Sequence, residues 1–124
     1  MLPVSCLCCP LTPLQEYHPF CWVTDYNNQT EVEQCWLGDT SVALVDLNTE
    51  DPDVVSGHSS WINNLVTTYH VDGLRIDTAK HIRQSFYPDF LKSAGVMAVA
   101  EILDTRANYT GAYTSERFSY LDSC

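Results

Sequence analysis

The sequence predicts an α/β chain with parallel strands in the order βαβαβ. Two short apolar runs each end on a carboxylate, residues 71–76 ahead of Asp77 and residues 96–100 ahead of Glu101. Between residues 54 and 69, Val54, Val55, His58, Trp61, Ile62, Leu65, Val66 and Tyr69 recur at three- and four-residue steps, one apolar face of a helix. Helices alternating with short buried runs are the pattern of crossover units in a parallel sheet.

Taken in order, residues 41–48 read as the first strand and the stripe over 54–69 as the first helix, its apolar face core packing. Residues 71–76 are the second strand. Residues 80–93 read as a helix with Ile82, Phe86 and Phe90 on its inner side and Pro88 as a kink. Residues 96–100 are the third strand. Asp77 and Glu101 are 24 residues apart, enough for one helix and one return strand. A right-handed crossover then sets both acids on the same sheet edge.

Adjacent parallel strands lie ~4.8 Å apart, and side chains at their carboxyl ends point into the crevice where α/β folds do chemistry. Paired carboxylates there suggest glycoside hydrolysis. A separation of ~5 Å belongs to the retaining mechanism, while ~6.5–9.5 Å leaves room for the water of an inverting enzyme. Neighbouring strands favour retention, with carboxyl groups expected ~5–6 Å apart. The alternative is that Asp77 only caps the following helix and Glu101 only ends a strand.

Residue identity goes further. The runs Gly73-Leu74-Arg75-Ile76-Asp77-Thr78-Ala79-Lys80-His81, Glu101-Ile102-Leu103-Asp104 and Leu44-Val45-Asp46-Leu47-Asn48 occur in an order and spacing that resembles the α-amylase family of glycoside hydrolases (family 13), specifically its fungal secreted members. The resemblance runs almost continuously from about residue 15 to 110, and includes His18-Pro19-Phe20-Cys21 and residues 33–39. It implies a fragment of a (β/α)8 TIM barrel, about strands 3 to 5 with their helices. By it, 15–116 is expected to be the partial catalytic domain, with 1–14 and 117–124 as unmatched segments on either side.

By that resemblance Asp77 is the nucleophile, Glu101 the acid/base, and Arg75 the residue that orients and ionises Asp77, lying two residues away on the same strand face. Lys80, His81 and Asp104 match positions that bind substrate. The carboxylate of Asp46 and the backbone carbonyls of Glu33 and His81 match ligands of a calcium ion, which prefers such oxygens. A further family ligand, an Asn, belongs ahead of the matched stretch. Cys21 and Cys35 match a family disulfide. The chain departs from the family after Asp104: it continues Thr105-Arg106-Ala107, losing a second disulfide and changing a loop beside the acid/base.

The activity this implies is retaining hydrolysis of α-1,4-glucans such as starch, glycogen and maltooligosaccharides. A barrel needs ~250 residues and this chain has 124. The expected alternatives are therefore a catalytically inactive fragment lacking the family's third acid, or an α-glucan transglycosylase relative. A binding module for starch or calcium is a third, with Tyr109 and Tyr113 as its only evident aromatic platform.

Composition narrows the partners. Six Lys and Arg against 16 Asp and Glu leave a net charge of −10, which excludes nucleic acid and anionic membrane as partners but is indifferent to a neutral polysaccharide. No run approaches the ~20 apolar residues of a membrane span. Asn28-Gln29-Thr30 and Asn108-Tyr109-Thr110 are glycosylation sequons, in keeping with an extracellular parent, although residues 1–14 lack the basic start of a signal peptide. The clustered Cys6, Cys8 and Cys9 have no nearby His, so zinc is not expected. No defined protein partner is expected, and unpaired barrel edges favour aggregation over a specific dimer.

Overall fold

A computed structural model describes residues 16–113 and 118–122 of the chain. Segment 1–14 and its cysteines, with Cys124, lie outside the described residues. The helices and strands in order are α1 (Gln29–Gln34), β1 (Leu37–Gly38), β2 (Ala43–Leu44), α2 (Pro52–Tyr69), β3 (Gly73–Ile76), α3 (Tyr87–Ala94), β4 (Met97–Ile102), α4 (Ala107–Gly111) and β5 (Phe118–Asp122).

The helix expected from the 54–69 stripe forms as α2. Asp51 caps its start by accepting from the Asp53 amide, Pro52 sits in the first turn where its missing N–H costs nothing, and His70 ends it in the left-handed region. From there the chain turns into β3. Strands β3 and β4 pair in parallel, with Ile76 opposite Ala100. Ala98, Ala100 and Ile102 of β4 alternate inward and are buried with Ile62 of α2 and with Phe90, Leu91 and Ala94 of α3. Phe86 and Phe90 stack with ring centres 5.3 Å apart. The opposite face of the sheet carries Arg75, Val99 and Glu101, turned away from the helices.

Three expectations are corrected. The run 41–48 is not a strand of the parallel sheet: only Ala43–Leu44 is extended, paired antiparallel with β1. The cause is local, because the Asp39 side chain accepts from the Ser41 hydroxyl and from the Ser41 and Val42 amides, closing a tight turn. Gly38 allows it, at φ +91°, where a Cβ would lie 2.0 Å from the Val42 carbonyl oxygen. The third strand of the parallel sheet is instead β5, to which the sequence pointed with no signal, and the order is β3-β4-β5. Finally, residues 80–93 are not one kinked helix. Two single 3₁₀ turns, Ala79–His81 and Gln84–Phe86, precede α3, and Pro88 occupies its first turn and starts a helix where a kink was expected.

The segment before α2 is held from outside the sheet. Cys21 and Cys35 form a disulfide with Cα atoms 4.9 Å apart, and Trp36 donates its indole N–H to the His18 carbonyl. The bridge spans a sequence separation of 14, for which the entropy removed from the unfolded chain is ~3 kcal/mol. Reduction with dithiothreitol is expected to lower the thermal midpoint by at least ~10 °C, since each kcal/mol moves a domain of this size by ~4–8 °C. A calorimetric scan showing less than a few degrees would mean that the bridge closes a loop already ordered in the unfolded chain.

Candidate functional site

The carboxyl ends of β3 and β4 carry the chemistry. Because Ile76 lies opposite Ala100, Asp77 and Glu101 are the next residues along neighbouring strands and share one face. Arg75 lies between them. Its guanidinium nitrogens stand 3.5 Å from the Asp77 carboxylate and 3.1 Å from the Glu101 carboxylate. The Asp77 carboxyl is held below its usual range, first by a hydrogen bond from the Glu101 carboxyl and then by the Arg75 charge. Thr78, directly after Asp77, holds a left-handed conformation (φ +48°), uncommon outside glycine and frequent at functional sites. Nothing in the sequence marked Thr78.

Lys80 and Asp104, each three residues beyond a candidate acid, form an ion pair of 3.1 Å with both side chains at least nine-tenths buried. Arg106 closes on the same carboxylate with a fork, Nε at 2.8 Å and Nη2 at 2.6 Å. The Asp104 carboxyl is held far below the usual range, first by Arg106 and then by Lys80. Both cations lie over the Tyr109 ring. The Tyr109 hydroxyl donates to Gln29, whose amide donates to the Lys80 carbonyl and to Glu33. His81 points elsewhere: its Nδ1 hydrogen-bonds the Val32 carbonyl, and burial pulls its pKa down.

Of the expected calcium ligands, Glu33 and His81 lie on α1 and on the 3₁₀ turn packed against it. Asp46 and His81 line one cavity of about 430 Å³ that also takes in Asp77 and Trp61. The carboxylate of Asp46, however, is engaged by His18, whose Nδ1 lies 2.5 Å from it and whose Nε2 lies 2.6 Å from Glu50. Burial pushes the Asp46 carboxyl up, against the pull of His18. Among the described residues no three His, Cys, Asp or Glu side chains gather to hold a metal. The Asp46 carboxylate matched to calcium is hydrogen-bonded to His18 through one oxygen, and the other matched donors are the backbone carbonyls of Glu33 and His81. Sequence reasoning missed His18 and Glu50 because their partners lie 28 and 32 residues away from His18.

Both sequon asparagines are exposed, Asn28 capping α1 with its side-chain oxygen and Asn108 on α4, while Thr110 of the second sequon is buried. No helix among the described residues is long and apolar enough to cross a membrane.

A parallel α/β sheet with paired acids at its carboxyl edge is the class of a barrel glycosidase, and comparison with known proteins agrees. The α-amylase catalytic-domain family model matches residues 9–119. An α-amylase of Lipomyces kononenkoae is 48% identical over 104 residues, 84% of this chain and 17% of that protein. An α-amylase of Saccharomycopsis fibuligera is 45% identical, again over 84% of this chain and over 21% of its own length. The solved α-amylase of Malbranchea cinnamomea superposes with a TM-score of 0.75 at 48% identity, covering 79% of this chain and 21% of that one. The chain belongs to the α-amylase family. It spans about a fifth of the length of the curated relatives it matches, and its described residues form an arc of a (β/α)8 barrel that is not closed.

Proposed function

We propose that this chain carries part of the active centre of a retaining glycoside hydrolase of the α-amylase type, acting on α-1,4-glucans. The observation that carries the reading is the placement of Arg75 between Asp77 and Glu101 at the ends of two paired parallel strands. In that role the ionised Asp77 forms a bond to the anomeric carbon as the glycosidic C–O bond breaks, and Glu101 gives its proton to the departing oxygen. Glu101 then takes a proton from water, whose oxygen displaces Asp77. Arg75 favours the charged form of Asp77 throughout.

The same reading puts the parent protein outside the cell, supported by the Cys21–Cys35 bridge and the exposed sequon asparagines Asn28 and Asn108. His81 and the Lys80–Asp104 pair lie on the leaving-group side of the acids. The Asp46 carboxylate and the Glu33 and His81 backbone carbonyls would hold a calcium ion, which would brace these segments and take no part in the bond changes.

Covalent trapping tests the assignment. A glucosyl fluoride carrying a second, ring fluorine loses fluoride without needing a proton, while the added fluorine destabilises the oxocarbenium-like transition state and slows release. Peptide mass spectrometry is expected to find the sugar esterified to Asp77. A label on another carboxylate, or none after prolonged exposure, would remove Asp77 from the nucleophile's role.

A further inference from the structure

Phe20 stands 62% exposed at the edge of an aromatic group. Its ring meets Trp22 and Trp36 edge to face, with centres 5.1 and 5.2 Å apart, and the Trp36 indole N–H is anchored on the His18 carbonyl. The Cys21–Cys35 bridge ties the chain beside this group. A large apolar ring is thus held in a fixed place with most of its surface in solvent.

Phe20 and Trp22 line a hollow of about 660 Å³, within the ~300–1,000 Å³ of small-ligand sites. Asn28, Thr30 and Gln34 line it too. Asn28 and Thr30 are the two defining residues of the first sequon, and both are exposed. The Asn28 side chain accepts from the Glu31 amide through Oδ1. That bond engages the oxygen and not Nδ2, the atom to which a glycan is attached.

We propose that this hollow seats the chain's own N-linked glycan, whose first N-acetylglucosamine is bonded to Asn28 and lays its C–H face on Phe20. In the secretory route Nδ2 bonds to C1 of the sugar as the bond from C1 to the oxygen of a lipid diphosphate breaks. The amide gives up one proton, and the lipid diphosphate departs with the bonding pair. A β-linked pyranose carries axial C–H bonds on one face, and their slight positive charge suits the negative face of an aromatic ring. Thr30 and Gln34 offer a hydroxyl and an amide to the N-acetyl group. Asn108 differs, because the Tyr109 ring beside it is already faced by Lys80 and Arg106. The proposal goes beyond the glucan reading and is independent of it.

The test uses residues 1–124 carrying Asn108→Gln, secreted behind a cleavable leader from eukaryotic cells that add high-mannose glycans. The leader sets the route, so the outcome does not depend on where the protein resides in its own cell. Glycopeptide mass spectrometry is expected to find Asn28 modified. Trimming with endoglycosidase H to a single N-acetylglucosamine should leave the thermal midpoint unchanged. Complete removal with a peptide N-glycosidase should lower it by about 5 °C, the effect of one aromatic contact on a domain of this size. Phe20→Ala should erase that difference between glycoforms, and with Phe20 in place the sugar's ring protons should resonate upfield. An unmodified Asn28 overturns the proposal, and so do equal midpoints with and without the sugar or a difference that Phe20→Ala leaves intact. Should Phe20→Ala fold poorly, the sugar protons with Phe20 in place decide: unshifted resonances overturn the proposal.

Discussion

Asp77→Asn and Glu101→Gln are each expected to reduce the release of reducing ends from soluble starch by ~10²–10⁴-fold, and to part company on a substrate with a good leaving group. A sugar bonded to fluoride or to a nitrophenol needs no proton to depart. Glu101→Gln should therefore recover most of its first-step rate on such a substrate, while Asp77→Asn, lacking the nucleophile, should not. The baseline itself is expected to be low in a polypeptide of residues 1–124. Asp77 is 66% exposed and Arg75 54%, and electrostatic stabilisation of an oxocarbenium-like transition state is worth most where water is excluded. Equal rates for parent and both variants on starch would show that the measured activity comes from some other group.

Asp104→Asn is expected to destabilise the fold by ~3 kcal/mol, the low end of the cost of stranding a buried charge. The loss comes mainly through Lys80, whose ammonium would be left buried beside a neutral amide. The Arg106 share is small, because that side chain is half exposed and a surface ion pair is worth at most ~1 kcal/mol. Replacing both partners, Lys80→Met with Asp104→Leu, should recover much of the loss, since no buried charge then lacks a partner. The pH dependence has a definite sign. The folded-state pKa of Asp104 is depressed, so its contribution is complete above the unfolded value of ~3.9 and disappears only as pH falls toward the much lower folded value. Urea midpoints should thus keep a constant gap between parent and Asp104→Asn from neutral pH down to about 4, and converge below it. A gap under ~1 kcal/mol at pH 7 would mean that Lys80 reaches water once released.

What the sequence determined alone is the part of the fold written in neighbouring residues. The period of Val54 to Tyr69, with Asp51 and Pro52 ahead of it, specifies α2 through local capping and one apolar face. The apolar runs before Asp77 and Glu101, at a spacing that admits one crossover, specify two parallel strands ending on acids. Residue identity, through the family resemblance, also paired Cys21 with Cys35. Tertiary structure decided everything that depends on a distant partner. The strand Phe118–Asp122 exists because β4 offers a free edge, which no local pattern announces. His18 holds Asp46, which the family resemblance matched to a calcium ligand, from 28 residues away. Arg106 read as a mere departure from the family; only the buried carboxylate beneath it and the tyrosine face beside it give its guanidinium a fixed direction. The physical reason is the same each time: periodicity and caps act over a few residues, whereas a hydrogen bond or an edge pairing across the fold leaves no trace in either partner's own neighbourhood.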